Sequence, residues 1–145
     1  MKKFFSCLAT LLLAMFAVNF SSCSSDSEKL EDLITGQLLG KWVIVSSTDF
    51  DYPKGNEFEF QKGGKLIYHY YLGDDDCRTR IHKWEIKKGM LKISDSEEDV
   101  NHHYDPDQYT EGTVTFADDT ATYNYIWYDA GEFSDKDYTV VLQKI

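Results

Sequence analysis

The clearest structural pattern in the chain is EFEFQKGGKLIYHYYL, residues 57–72. Phe58 and Phe60 alternate with glutamates, and strict alternation is typical of a strand with one buried face. Residues 62–64, Lys-Gly-Gly, then give the turn signal of a hairpin. Beyond the turn, apolar side chains return in phase at Leu66, Tyr68, Tyr70 and Leu72. This stretch therefore predicts two antiparallel strands joined by a tight turn.

Similar short segments follow one another from Gly40 to the end of the chain. They are rich in β-branched and aromatic residues, and most are separated by short turns of Gly, Lys and Asp. The eight predicted strands are residues 41–47, 57–61, 65–72, 78–86, 90–94, 108–116, 120–128 and 137–144. Residues 95–107 form the one long polar segment, and residues 130–135 are predicted to be a loop.

The connections between these strands predict the fold class. Short turns make successive strands antiparallel neighbours. A meander of eight strands has exposed edges unless it closes, and closure into a barrel removes them. With eight strands, the interior is just wide enough for side chains or one small ligand. We therefore predict an all-β, eight-stranded antiparallel up-and-down barrel. A two-sheet sandwich is the rival, although Greek-key folds need longer crossovers than most of those here.

One short helix is predicted before the first strand, over residues 28–39, with Gly40 ending it. Its apolar side chains recur at helical spacing and form one face: Leu30, Leu33, Ile34 and Leu38. We expect this helix to plug or flank one end of the barrel, with Leu33 and Ile34 buried there.

Residues 1–22 have the layout of an export signal. Lys2 and Lys3 precede a stretch, residues 4–25, that contains no charged residue and is rich in Leu, Ala and Phe. A basic start, an apolar middle and small residues before a cleavage point are typical of a secretory signal peptide. An uncleaved membrane anchor is the alternative, because about 20 apolar residues can span a bilayer.

The end of that segment, Phe20-Ser21-Ser22-Cys23, resembles the lipobox of bacterial lipoproteins. The resemblance implies that Cys23 becomes the lipidated first residue of the mature protein. We therefore expect a signal peptide over residues 1–22, a flexible tether over residues 23–29 and one domain over residues 30–145. The same resemblance implies a lipid-anchored protein of the outer membrane, on its periplasmic or cell-surface side.

Composition excludes several classes of partner. Fifteen Lys and Arg residues against 25 Asp and Glu give a formal charge of −10, which argues against nucleic acid as a partner. Removal of residues 1–22 would leave −12, so anionic lipid headgroups would repel the protein surface and the lipid would provide the attachment. Of three cysteines, only Cys77 would remain free of the signal and the anchor, so no disulfide scaffold is expected.

Short motifs within the predicted strands point to a family. They are Leu39-Gly40-Lys41-Trp42, Phe58-Glu59-Phe60, and Trp84-Glu85-Ile86 with Gly89 and Leu91. They resemble the lipocalin-like domains of bacterial lipoproteins of the Bacteroidota type, over about residues 38–145. The resemblance implies that Trp42 closes one end of the barrel. It also implies an arginine near the last strand that packs over that tryptophan, a place for which Lys144 is the only candidate here. The resemblance further implies binding of a small, largely apolar molecule.

The barrel interior supplies the candidate ligand contacts. The phase set by Trp84 and Ile86 places Arg80 and His82 on the inner face. An inward charge must be paired, so Arg80 would take a carboxylate from a ligand or from the protein. The alternative is that this strand begins at Ile81, with Arg80 at the rim in water. The candidate ligand-binding residues are Arg80, His82, Trp84, Tyr68, Tyr70 and Trp42. A molecule with an apolar body and one acid group, such as a fatty acid, would suit this set.

Neither a metal site nor a catalytic motif is predicted. His102 and His103 stand among acidic residues that include Asp99, but the spacing favours a solvated loop, as does that of residues 74–76. No motif for nucleophilic or phosphate chemistry occurs, so we expect a protein that is not an enzyme and has no cofactor.

Three functions remain open from the sequence. The first is binding of a small amphipathic or hydrophobic molecule in the barrel. The second is an accessory or structural role, in which a filled barrel binds a protein partner in the cell envelope. The third, a hydrolase or isomerase, would be favoured by a cavity with close polar pairs of perturbed pKa.

Overall fold

Eight antiparallel strands close into one barrel in the computed structural model, which describes residues 25–145, with side chains from residue 27 on. One helix, α1, spans Ser25–Leu38. The strands are β1 Gly40–Ser47, β2 Glu57–Gln61, β3 Lys65–Gly73, β4 Asp76–Lys87, β5 Met90–Asp95, β6 Tyr109–Ala117, β7 Thr120–Asp129 and β8 Glu132–Lys144. Each strand pairs with the next, and β1 pairs with β8. The predicted up-and-down barrel is confirmed, and the two-sheet sandwich is excluded.

The β7–β8 connection differs from the prediction. Residues 130–135 were expected to form a loop, but β8 already begins at Glu132 and pairs it with Asp129. Ala130 and Gly131 both have positive φ, 48° and 90°, as a two-residue turn between strands requires. The prediction was wrong because alanine rarely adopts a positive φ, so this pair gives no turn signal.

Helix α1 begins at Ser25, so the described part of the expected tether, residues 25–29, is helical. The helix buries Ile34 and Leu38, whereas Leu30 and Leu33 are exposed. The expected burial of Leu33 is therefore wrong. The last turn of α1 contacts the barrel, where the Trp42 indole donates to the Leu38 carbonyl at 2.7 Å. Earlier in the helix, Glu31 accepts a hydrogen bond from a backbone amide of the β4–β5 turn, which leaves Leu33 facing solvent.

The predicted signal peptide, residues 1–22, and Cys23 lie outside the described residues. Within residues 25–145, no helix is long and apolar enough to cross a membrane.

The body of the barrel is filled with side chains. Rings pack against one another across it: Tyr123 stacks on Tyr125 with centroids 4.4 Å apart, and Phe60 meets Trp84 edge-on at 5.2 Å. The largest fully buried side chains are Trp42, Tyr123, Tyr125, Phe58, Phe60, Leu38, Ile44, Leu66, Leu91, Ile93, Leu142 and Val140. In the part of the chain that the structure describes, these side chains fill the interior, so the barrel has a packed core.

The two ends of the barrel are built differently. The "helix end" carries α1 and the tight turns β2–β3, β4–β5 and β6–β7. The "mouth" carries the other four connections, residues 48–56, 74–75, 96–108 and 130–131. The two longest connections between strands, residues 48–56 and 96–108, are therefore both at the mouth.

Trp42 and Lys144 close the helix end. The Lys144 ammonium donates to the Leu39 carbonyl at 2.7 Å and lies 4.7 Å from the centroid of the Trp42 ring. Lys144, a lysine where the resemblance implies an arginine, thus packs over Trp42. Gly40 has a φ of +116°, and a Cβ there would approach the end of the Lys144 side chain to 3.3 Å. The glycine two residues before Trp42 therefore provides both the backbone conformation and the space that this contact needs.

Candidate binding site at the mouth

Tyr52 forms the floor of the mouth. It belongs to the β1–β2 loop, and this loop folds into the barrel. Its ring stacks on Trp127 with centroids 6.1 Å apart and meets Tyr68 edge-on at 5.3 Å. It also meets Phe58 edge-on at 5.1 Å, at the top of the filled core. A side chain supplied by a loop therefore separates the core below from the mouth above.

Behind this floor lies a carboxylate, Asp49, which is 6% exposed. Its Oδ2 accepts hydrogen bonds from the Tyr125 hydroxyl at 2.6 Å and from the Trp127 indole at 2.8 Å. Its Oδ1 accepts one from the Asp51 amide at 2.9 Å. Burial raises the pKa of the Tyr125 phenol, and the hydrogen bond to Asp49 raises it further. Among the described residues, no Lys, Arg or His pairs with Asp49, so only neutral donors hold this carboxylate.

Tyr68 forms one wall. Its hydroxyl donates to the Asp51 carbonyl at 2.8 Å and accepts from the Asn56 side-chain amide at 2.7 Å. Burial raises the pKa of Tyr68 to about 12. The ring is therefore held in one position, and Tyr70 stacks on it with centroids 5.8 Å apart.

The adjoining wall, on β4 and β5, is charged, and Tyr68 pairs with Arg80 in the β3–β4 register. Asp95 Oδ1 lies 3.2 Å from Arg80 Nη2 and 3.6 Å from His82 Nδ1. Arg80 belongs to β4 and its side chain is 34% exposed, while that of His82 is 7% exposed. The protein thus supplies the carboxylate that an inward Arg80 was expected to require. Burial raises the pKa of Asp95, but the interaction with His82, the hydrogen bond from the Asp105 amide and the Arg80 charge together outweigh burial and lower that pKa.

The long polar segment, residues 96–108, is fastened to the barrel by Asp99. The two oxygens of Asp99 accept from the Ile81 amide and from His102 Nδ1, each at 2.9 Å. Asp99 is buried, so the expectation of a solvated loop is wrong at this residue, although His103 and residues 74–76 are exposed as expected. Within the described chain, no group of three His, Cys, Asp or Glu side chains could hold a metal ion.

These walls enclose a cavity of about 290 Å³. Its lining residues are Asp51, Tyr52, Tyr68, Arg80, His82, Ile93, Ser94, Asp95, Gln108, Tyr109 and Trp127. Of the residues predicted from the sequence, the structure brings together Tyr68, Arg80 and His82.

The other three candidates do not line the cavity. Tyr70 stands beside Tyr68, and Trp42 lies at the helix end. Trp84 also lies toward the helix end. Its indole donates there to the Lys65 carbonyl at 3.0 Å and the Gln61 carbonyl at 3.1 Å. The prediction missed Trp127, although its spacing from Tyr123 and Tyr125 along β7 places it on the inner face.

The rim of the mouth is apolar at its tips and acidic overall. Phe50 is 96% exposed and Val100 is 88% exposed, and Leu72 and Phe133 are also exposed. Residues 48–56, 70–80, 95–109 and 127–138 hold 15 acidic side chains against four basic ones, a formal charge of −11. Residues 25–145 together carry −12, so nearly all of the net charge is at this end.

Comparison with known proteins found no match for this chain. No family model matches the chain, and no curated protein or solved structure matches it. The function is therefore argued from the sequence and from the geometry of the mouth.

Proposed function

We propose that this chain is an exported, lipid-anchored, lipocalin-like binding protein whose mouth holds a small amphipathic molecule. The observation that carries the proposal is the cavity above Tyr52. Its volume of about 290 Å³ is near the lower end of the range for small-molecule sites, roughly 300–1,000 Å³.

The lining has the mixed character that an amphipathic ligand needs. Tyr52, Trp127 and Ile93 offer flat or apolar surface, and Arg80, His82 and Gln108 offer hydrogen-bonding groups. Few polar groups among apolar walls are typical of ligand sites, because the polar groups fix orientation and the apolar area provides affinity. Since Tyr52 closes the floor over a filled core, the mouth suits a short molecule better than a long acyl chain.

The location in the cell is proposed from the sequence. Cys23 in its lipobox-like context would carry the acyl chains, and a cysteine with several chains is held firmly because each buried CH₂ contributes about 0.8 kcal/mol. We place the protein at the outer membrane through this anchor.

A binding role is favoured over catalysis. The cavity does hold a close polar pair with a perturbed pKa, His82 and Asp95, the arrangement that would favour an enzyme. Yet the pKa of Asp95 is lowered, which suits a permanent charge partner better than a proton donor. Within residues 25–145, no Ser, Thr or Cys side chain is hydrogen-bonded to His82, so the pair has no nucleophile to activate.

The accessory role is the second candidate, and the exposed tips of the rim favour it. Large apolar side chains as exposed as Phe50 and Val100 often mark sites of protein–protein contact. A partner in the cell envelope would then bind the loops, and the filled barrel would be only a scaffold.

A titration with the neutral fluorophore N-phenyl-1-naphthylamine separates the two candidates. The protein from residue 24 on should give a saturable rise in fluorescence with one site per chain. The variant Gln108→Trp places a bulky ring in the cavity and should weaken binding by about tenfold or more, equivalent to about 1.4 kcal/mol.

Thr115→Trp is the matched control, because Thr115 is exposed in the half of β6 that runs to the helix end. This variant should bind like the parent, and thermal melts should show both variants folded. Equal binding by all three proteins, or no saturable binding by the parent, would contradict the ligand proposal and favour the accessory role.

A further inference from the structure

We propose that the cavity selects a small organic cation, an amine or ammonium group on a flat apolar body. This inference rests on the proposed ligand-binding function and names the chemical class of the ligand. It differs from the acid ligand that Arg80 suggested from the sequence alone.

The first support is the balance of charge around the cavity. Three carboxylates, Asp49, Asp51 and Asp95, stand within or directly behind its wall, against the single guanidinium of Arg80. Arg80 is bonded to Asp95. Asp49 has no basic partner among the described side chains, and neither has Asp51. Asp49 is thus a buried negative charge without a counter-ion, which favours the entry of a positive charge, and the exposed Asp51 adds to it.

The second support is His82, which lines the cavity with a side chain only 7% exposed. His82 Nδ1 lies 3.6 Å from Asp95 Oδ1, beyond hydrogen-bond length, but an ionised carboxylate so near favours the tautomer with its proton on Nδ1. In the neutral imidazole, Nε2 is then an acceptor, and within residues 25–145 it has no hydrogen-bond partner. An ammonium group, which has donors and no acceptor, complements this atom, whereas a carboxylate does not.

The third support is the pair of aromatic side chains at the base of the cavity. Tyr52 and Trp127 stack on each other, and Tyr68 stands edge-on to Tyr52. Tyrosine and tryptophan faces attract cations by roughly 0.5–2 kcal/mol, and the same faces cover a flat apolar body.

The rim adds a long-range contribution. A charge of −11 around the mouth raises the local concentration of cations and lowers that of anions. The cavity and its approach therefore favour the same sign of ligand.

The test compares three probes with similar phenyl-alkyl bodies and different head groups: 2-phenylethylamine, 2-phenylethanol and 3-phenylpropionate. Each displaces N-phenyl-1-naphthylamine from the protein at about pH 8, where a free imidazole is neutral. The amine should bind about tenfold more tightly than the alcohol, and the acid more weakly than both.

Two substitutions should move amine affinity in opposite directions. Asp51→Asn removes an exposed carboxylate of the cavity and should weaken amine binding several-fold. Arg80→Gln removes the only guanidinium among the residues that line the cavity and should tighten amine binding. Asp118→Asn, in the β6–β7 turn at the helix end, removes the same charge far from the cavity and should change nothing.

Salt provides an independent readout. Between about 0.05 M and 0.5 M salt, amine affinity should fall while alcohol affinity stays nearly constant, because salt screens charge. Alcohol or acid binding as tight as amine binding would overturn the cation proposal and leave the binding function standing. If the fluorophore itself does not bind, both proposals fail.

Discussion

Gly112 controls how closely β6 and β7 approach. It pairs with Tyr125 in the register of these strands. A Cβ at this position would overlap the carbonyl oxygen of Asn124 and the Cα of Tyr125, both of them backbone atoms. Only glycine therefore permits the path of β7 that brings the Tyr125 hydroxyl to Asp49. The carboxylate behind the cavity depends on a residue that touches neither it nor the ligand site.

The variant Gly112→Ala should lower the free energy of unfolding by about 1–3 kcal/mol, because backbone must move to make room for the methyl group. Urea denaturation measures the change. Gly36→Ala is the control, since a Cβ at this helical glycine meets nothing within 4 Å. That variant should be more stable than the parent by up to about 1 kcal/mol. Equal stability of the two variants would show that β6 and β7 can separate at little cost.

The 96–108 loop is an element held in place by two carboxylates. Asp95 Oδ2 accepts from the Asp105 amide at 3.2 Å, and Asp99 binds the edge of β4 and the His102 ring. For Asp99, as for Asp95, burial raises the pKa, but hydrogen bonds outweigh burial and hold the pKa below its ordinary value of 3.8. The ionised forms of both residues therefore stabilise the folded loop.

The pH dependence of stability follows from the lowered pKa of these two carboxyl groups. A carboxyl whose pKa is lower in the folded state stabilises the fold above its unfolded pKa, and this contribution is lost as pH falls through the folded pKa. The free energy of unfolding should thus decrease below about pH 4. Asp99→Asn should cost about 2 kcal/mol at neutral pH and should flatten the acid decrease. Asp75→Asn, in the exposed β3–β4 turn, should change neither the stability at neutral pH nor its decrease in acid. An acid profile of Asp99→Asn that parallels the parent's would show that Asp99 does not contribute.

How far the sequence predicts each element depends on its periodicity. The strands alternate, so the inward positions of Tyr68 and His82 could be predicted from residue types alone. Tyr52 and Asp49 lie in a loop without period, and no local pattern shows that this loop folds into the barrel. The Arg80–Asp95 pair requires the β4–β5 register, which places His82 opposite Asp95. The fold was therefore largely predictable, and the floor and charged wall of the site were not.

The whole molecule is a barrel with a helix packed against one end and a cavity at the other. Leu38 is fully buried and Ile34 is nearly so, although both belong to a helix that lies outside the strand ladder. The stability of the barrel should therefore depend on α1 through these two side chains.

Leu38→Ala should lower the free energy of unfolding by about 2–5 kcal/mol, the usual cost of removing a buried leucine side chain. Leu33→Ala, five residues earlier on an exposed face, should change it by less than about 0.5 kcal/mol. Urea denaturation of the protein from residue 24 on measures the free energy of unfolding of both variants. Equal losses for the two variants would mean that the helix packs on a different face.

The concentration of acidic residues at the mouth makes the molecule an electric dipole, with its negative pole at the loops. Near an anionic lipid surface, a torque acts on such a dipole and turns the negative pole outward. A chain tethered at residues before Ser25 would then stand with α1 toward the bilayer and its loops toward the solution. The uneven distribution of charge would thus set the orientation of the protein as well as the sign of the molecules that reach it.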